Sequence, residues 1–144
     1  MPTIINERYA LMANPRAGRF ADIYRASDLQ GDGRVVAVKF FRKGMPDDAL
    51  IRESFDRESR RLVELTHENI VKMLDYGIDK ESGRPFLVLE WAGDPISEWW
   101  KKNRPGRVKW DDFYVEVGKP LLEALAFAHS RETVHRELKP SDIL

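Results

Sequence analysis

Cysteine is absent from this sequence of 144 residues. The absence excludes disulfide bonds and cysteine-ligated metal sites, and it suits the cytoplasm, where we expect the protein to be located. No apolar run approaches the roughly 20 residues that a membrane-spanning helix needs. The first residues also lack the apolar segment of a signal peptide. We therefore expect a chain without a membrane span.

Neither sign of charge is in excess, because 24 Lys and Arg residues balance 24 Asp and Glu residues. Without a net positive charge, the chain has no overall field that would attract nucleic acid or a membrane surface. We therefore expect no nucleic-acid partner. The sequence is 42% hydrophobic and 33% charged, which predicts a folded core under a polar surface, in one domain or in one lobe and part of another.

The first two thirds of the chain predict five β-strands, with one helix inserted after the third. Turn-forming residues in N-P-R-A-G-R and G-D-G separate the first three strands, and R-V-V-A-V-K-F-F is the clearest strand of the five. Short connections between successive strands favour antiparallel pairing, so the fold class is predicted to be α+β. The strands are predicted at residues 8–13, 20–26, 34–41, 70–78 and 85–92.

Two charged residues fall on otherwise apolar faces of this half. Lys39 lies beside Ala37 on the third strand, and Glu58 lies within the apolar stripe of the following helix. Taken singly, Lys39 could extend to water from an edge strand, and Glu58 could meet solvent on a slightly rotated helix. A carboxylate that faces a core needs a cation, because an unpaired buried charge costs several kcal/mol. Together, the two residues predict an ion pair.

The remaining third predicts helices. The segment G-D-P at residues 93–95 breaks the strand pattern and is typical of a hinge or linker. A short helix is predicted at residues 96–103, and a long amphipathic helix at residues 111–130 that kinks or restarts near Pro120. The apolar stripe of the long helix has few partners within the chain. We therefore expect self-association through residues 113–129.

The densest chemistry lies in V-H-R-E-L-K-P-S-D-I-L, residues 134–144. Together with V-A-V-K at residues 36–39 and a helix with an inward glutamate, this loop resembles the eukaryotic-like Ser/Thr protein kinases of bacteria. The resemblance covers nearly the whole chain. It implies a kinase small lobe of five antiparallel strands and one helix in residues 1–92, a hinge in residues 93–95, and the first helices of the large lobe, ending in the catalytic loop, in residues 96–144.

The resemblance also implies roles for single residues. Lys39 would hold the α- and β-phosphates of ATP, with Glu58 as its partner. Glu137 stands in the position of the catalytic base, and Lys139 would neutralise the transferring phosphate. Asp142 would bind Mg²⁺ through its carboxylate. The other residues expected at the nucleotide are Ala17, Gly18, Ala37, Glu90, Ala92 and Asp94.

Three departures from the family pattern weaken the expected activity. Of the three glycines in the family's phosphate loop only Gly18 is present, because Arg16 and Ala21 occupy the other two positions. Glu137 is one methylene longer than the family's aspartate, and Asp142 replaces an asparagine. Whether the charge of Arg16 compensates for the lost glycine stays open.

Transfer of phosphate from ATP to protein Ser or Thr is therefore expected only in a longer parent chain, because no D-F-G metal-binding segment occurs up to Leu144. The alternative is a pseudokinase or truncated kinase-like fragment that binds a nucleotide or a protein without catalysis. The kinase hypothesis implies ATP and Mg²⁺ as ligands and a protein as substrate. The binding hypothesis predicts weak or Mg²⁺-independent ATP binding and a protein as partner.

Overall fold

The computed structural model describes residues 3–44, 48–136 and 138–144. The chain forms two compact units. The first consists of Met1–Glu64 and Lys72–Trp91, and the second of Leu65–Val71 and Ala92–Leu144. The lobe and hinge boundaries inferred from the sequence stay a prediction.

The first unit is built on an antiparallel sheet. In the part of the chain that the structure describes, the strands are β1 Ile4–Ile5, β2 Tyr9–Leu11, β3 Arg16–Ala17, β4 Ala21–Asp28, β5 Val35–Phe41, β6 Met73–Ile78 and β7 Pro85–Glu90. Their order in the sheet is β1-β2-β4-β5-β7-β6, and β3 pairs with β4 beside this path. All five predicted strands are present, and the two-residue strands β1 and β3 are additional.

The two faces of the sheet bury different apolar clusters. Alternation along β5 produces both, because Val36 and Val38 are fully buried on one face while Phe41 is fully buried on the other. Each fully buried side chain of this size stabilises the fold by about 1.5–3 kcal/mol. The first cluster comprises Ile5, Tyr9, Leu11, Ala26, Val36, Val38, Phe40, Phe86 and Val88. The second comprises Ala21, Phe41, Ile51, Phe55 and Leu87.

The helix α1, Asp48–Glu64, covers the second face. Ile51, Phe55 and Ser59 follow one another at intervals of four residues and are buried, as expected for one stripe of an α-helix. The ring of Phe55 meets that of Phe41 edge to face, with the centroids 5.5 Å apart. The predicted helix start at residues 45–47 lies outside the described residues.

A buried carboxylate, that of Asp28 at the end of β4, forms an ion pair with Arg8, the residue before β2. The side chain of Asp28 is 1% exposed, and the Arg8 guanidinium donates hydrogen bonds to its two oxygens at 2.8 and 3.0 Å. These bonds lower the pKa of Asp28 against the opposing effect of burial. Beside them, the Tyr9 hydroxyl donates to Asp75 at 2.6 Å, and burial and this bond raise the pKa of Tyr9. No pattern in the sequence indicated this network.

A second buried carboxylate, Asp79, organises the turn between β6 and β7. The amide and the hydroxyl of Ser82 donate to one oxygen at 2.8 and 2.5 Å, and the amide of Asn6 donates to the other at 3.4 Å. Burial alone would raise the pKa of Asp79, but these hydrogen bonds lower it overall. The Asn6 side chain in turn accepts from the amide of Lys80, so these hydrogen bonds join the turn to the segment between β1 and β2.

The second unit contains the short helix α2, Ile96–Asn103, and a long interrupted helix. The long helix begins as α3, Trp110–Phe113, widens into a π-helical turn, Tyr114–Gly118, and continues as α4, Lys119–Ser130. The interruption precedes Pro120, which has no N–H for the preceding turn and whose ring would clash with the carbonyl there. The sequence predicted either a kink or a restart near Pro120. The structure shows a wide π-helical turn within one continuous helix.

The apolar stripe predicted on the long helix is partly covered within the second unit. Val117, Ala124 and Ala128 are buried, whereas Phe113 is 37% exposed. No helix in residues 3–44, 48–136 and 138–144 is long and apolar enough to cross a membrane.

Candidate functional site

The structure contains the ion pair predicted between strand and helix. The ammonium of Lys39 on β5 donates to both carboxylate oxygens of Glu58 on α1, at 2.6 and 2.8 Å. The helix stripe that buries Phe55 turns Glu58 toward the sheet, because the two positions are three residues apart. The two side chains are 26% and 30% exposed, so solvent screens the pair only in part and a ligand can reach it.

Gly18 closes the turn between β3 and β4. Its N–H donates to the carbonyl of Ala21 at 2.9 Å, and a Cβ at position 18 would lie 2.6 Å from that oxygen. Any other residue would therefore have to open the turn. Ala17 precedes it on β3, opposite Asp22 of β4, and is exposed. The loop at the predicted phosphate position is thus a tight hairpin in which one glycine amide is already engaged.

Arg42 holds this hairpin against the end of β5. Its guanidinium donates to the carbonyl of Arg19 at 2.9 Å and to the carboxylate of Asp22 at 2.5 Å, and its amide donates to the carbonyl of Phe20 at 2.9 Å. The sequence reasoning missed this residue. A cation directly after the strongest strand is the only signal that could have indicated it.

Ala37 and Glu90 belong to the first unit, on neighbouring strands. Ala37 of β5 lies opposite Leu89 of β7 and is partly buried on the same face as Lys39. Glu90 ends β7, and both its amide and its carboxylate are engaged with Lys72: the amide donates to the Lys72 carbonyl at 2.9 Å, and the carboxylate accepts from the Lys72 amide at 2.8 Å.

Ala92 and Asp94 belong to the second unit, and both are exposed. Gly93 between them has φ of +98°, a conformation that residues with a Cβ rarely adopt. A side chain at position 93 would therefore strain the backbone, while the linker assigned to residues 93–95 stays a prediction.

Most of the described residues that follow the long helix, 131–136 and 138–144, are exposed. The last turn of this loop is a short 3₁₀ helix, Pro140–Asp142. The carboxylate of Asp142 accepts from the amide of Lys139 at 3.2 Å, and the amide of Asp142 donates to the carbonyl of Lys139 at 2.9 Å. The carbonyl of Ile143 accepts from the amide of Ile96 at 2.7 Å, which joins the loop to α2.

Of the predicted catalytic and metal residues of this loop, the structure describes Lys139 and Asp142. The loop brings Lys139 and Asp142 together, and Glu137 lies outside the described residues. One oxygen of Asp142 already accepts a hydrogen bond, and no three His, Cys, Asp or Glu side chains converge as possible metal ligands in the described ranges. Asp142 is a hard oxygen donor of the kind that Mg²⁺ prefers, but it does not form a dedicated cation site by itself.

Comparison with known proteins identifies relatives over nearly the whole chain. The family model described as the protein kinase domain matches residues 17–144. The DNA damage-responsive serine/threonine-protein kinase RqkA of Deinococcus radiodurans is 35% identical over 144 residues, which cover 99% of this chain and 21% of that protein. The serine/threonine-protein kinase PrkC of Bacillus subtilis is 31% identical over 141 residues, covering 97% and 21%.

The probable serine/threonine-protein kinase PknB of Lactococcus lactis is 30% identical over 142 residues, which cover 98% of this chain and 22% of that protein. The chain therefore spans about a fifth of the length of the curated relatives that it matches.

Proposed function

The chain belongs to the protein kinase family, and we propose that its first unit binds ATP with the phosphates held by Lys39. The observation that carries the proposal is the Lys39–Glu58 pair. An ammonium has three donors, and the two oxygens of Glu58 take two of them, which leaves one for a phosphate oxygen. Glu58 thus orients the lysine without using all of its hydrogen-bonding capacity.

Further nucleotide contacts are proposed for the other residues that the kinase resemblance assigns to the nucleotide. Gly18 would bring the hairpin backbone close to the phosphates, and Ala37 would lie against the adenine as a small apolar residue. Glu90 and Ala92 would offer backbone groups to the adenine edge, and Asp94 would accept from the ribose hydroxyls. Ala17 is assigned to the same contact as Gly18.

We propose transfer of phosphate to Ser or Thr of a protein substrate only for a longer parent chain. The present chain spans about a fifth of the length of the relatives that it matches. Glu137 would accept the proton of the substrate hydroxyl, and Lys139 would neutralise charge on the transferring phosphate. Mg²⁺, when bound, would neutralise the phosphates further, and Asp142 is the oxygen ligand that we propose for it.

The second candidate function is nucleotide or protein binding without phosphate transfer. The engaged carboxylate of Asp142, the longer side chain of Glu137 and the loss of two loop glycines all favour it. A radiolabelled γ-phosphate assay on the whole protein distinguishes the two candidates. Transfer to a protein supports the kinase function, whereas ATP binding without transfer supports the binding module.

The ATP proposal is tested by replacing Lys39 with Met, which keeps the length of the side chain and removes its charge. We expect the ATP affinity, measured by isothermal titration calorimetry, to fall about tenfold or more, because a charged hydrogen bond contributes about 1.5–3 kcal/mol. Lys80→Met is the matched control, since Lys80 is exposed in the turn between β6 and β7. Equal ATP affinities for the wild type and Lys39→Met would refute the assigned role.

We propose two properties of the chain beyond nucleotide binding. The first is self-association through residues 113–129, supported by the exposure of Val115 and Leu122, which are 65% and 57% exposed. The second is a location in the cytoplasm, supported by the absence of cysteine from the sequence.

A further inference from the structure

The pairing of three strands places a second cation on the face that carries Lys39. Arg16 of β3 lies opposite Ile23 of β4, and Ile23 lies opposite Lys39 of β5. Residues directly opposite one another on antiparallel strands extend to the same face of the sheet. Arg16 and Lys39 therefore share a face, two strands apart, and their Cα atoms are separated by about 10 Å at the usual strand spacing of about 4.8 Å.

The shared face is the one that α1 covers only in part. Where β4 begins and β5 ends, Ala21 and Phe41 pack on this face against the helix, and Lys39 bonds Glu58 there. Arg16, two strands away from Lys39, is exposed. Its position therefore allows the guanidinium to meet a ligand that lies over β4 and reaches Lys39.

Charges near Arg16 do not compete with such a ligand. Asp22, the carboxylate nearest to it in the strand register, extends to the opposite face and is bound by Arg42. Within the described part of the chain, no carboxylate forms an ion pair with Arg16. The side chain is thus available to an anion from outside the protein.

From this geometry we infer that Arg16 binds the phosphate chain of a nucleoside triphosphate whose other phosphates contact Lys39. The inference rests on the proposed ATP function and assigns a charge-based contact to a position where the family has glycine. A guanidinium donates two parallel hydrogen bonds to phosphate oxygens, so it replaces a backbone cradle with a side-chain clamp. A ligand with several linked phosphates fits two cations on separate strands better than a single phosphate does.

Calorimetric titrations of the Arg16→Ala variant with ATP and with adenosine test the inference. We expect the ATP affinity to fall about tenfold, because one charged contact is lost, while the adenosine affinity is unchanged. The wild-type ATP affinity is also expected to decrease more steeply with salt than that of Arg16→Ala. Arg60→Ala, which removes the same charge from an exposed position on α1, is expected to behave like the wild type.

The outcomes separate this inference from the ATP proposal. If Lys39→Met weakens ATP binding and Arg16→Ala does not, the role of Arg16 is wrong and the ATP proposal stands. A parallel loss of adenosine affinity in Arg16→Ala would also refute a phosphate contact. If the wild type binds neither ATP nor adenosine, both proposals fail. Far-UV circular dichroism checks that each variant is folded. We expect Arg16→Ala to fold like the wild type, because Arg16 is an exposed residue of a two-residue strand.

Discussion

Single residues decide how the first unit holds charge in its interior. Asp28 is almost fully buried, yet it keeps its charge, because Arg8 donates to both of its oxygens and the amide of Gln30 adds a third bond. Arg8 is 33% exposed, so its own desolvation is limited. Because only Asp28 is deeply buried and Arg8 stays partly in contact with water, the desolvation free energy of the ion pair is low.

Replacing Asp28 with Asn should destabilise the first unit. Removing one partner of a buried ion pair costs about 3–5 kcal/mol, and the partial exposure of Arg8 reduces the expected loss to about 2–3 kcal/mol. Urea denaturation followed by far-UV circular dichroism measures the free energy of unfolding. Asp32→Asn, in the exposed turn that follows, removes the same charge and should change stability by less than about 0.5 kcal/mol. Equal losses in the two variants would contradict this account.

The same carboxylate makes the stability depend on pH. The pKa of Asp28 is lower in the folded chain than its ordinary value of about 3.9, so its stabilisation is complete above that value and is lost as the pH falls through the folded pKa. The free energy of unfolding should therefore fall below about pH 4 more steeply in the wild type than in Asp28→Asn. Parallel curves for both proteins would show that Asp28 does not contribute.

Among the elements, the long helix of the second unit shows how one residue changes a helix locally. Gly118 and Glu116 fall in the π-helical turn before Pro120, and both flanking segments stay regular. The turn is anchored from outside, because the Arg104 guanidinium donates to Glu116 at 2.7 Å. The wide turn thus accommodates the proline without separating the helix into two.

A Pro120→Ala variant should have a more regular helix. We expect greater ellipticity at 222 nm and a gain in stability of about 1 kcal/mol, less than the roughly 3 kcal/mol that proline costs inside a regular helix, because the wide turn already relieves the clash. Pro105→Ala, in the exposed loop between α2 and α3, serves as the control and should not gain helicity. An unchanged spectrum for Pro120→Ala would mean that packing imposes the wide turn.

At the scale of the whole molecule, both units leave apolar side chains exposed, and those of the second unit include Trp110, Phe113, Tyr114, Val115 and Leu122 on its long helix. The sheet of the first unit buries apolar side chains on both faces. In the second unit, the ring of Phe113 contacts those of Trp100 and Trp110, and Trp110 also stacks on Tyr114. Trp110 is 71% exposed. Exposed apolar surface of this kind favours association with another chain.

Charged substitutions on the long helix should therefore reduce self-association. We expect the double variant Val115→Lys/Leu122→Lys to shift toward monomer relative to the wild type, measured by sedimentation velocity over a range of concentrations, because both side chains are exposed and apolar. Val63→Lys, at a position of α1 that is 60% exposed, is the matched control in the first unit. A wild type that stays monomeric at all concentrations would refute self-association through residues 113–129.

Local pattern was sufficient to predict most elements of the fold. The alternation of β5 and the four-residue spacing of Ile51 and Phe55 set their buried faces, and two charges on those faces implied the Lys39–Glu58 pair. The short strands β1 and β3 were not predicted, because two residues carry too little periodicity to be recognised. The Arg8–Asp28 pair and the contact between Asn6 and Asp79 were missed as well, since the partners are distant in the sequence.

By itself, the sequence determined the α+β class, the family resemblance and the identity of the residues available for chemistry, because these depend on residue type and spacing along the chain. Only the tertiary structure decided which of them meet. Strand register put Arg16 on the face of Lys39 and Asp22 on the other. Register and side-chain direction arise from pairing between distant segments, since a shift by one residue turns every side chain to the opposite face.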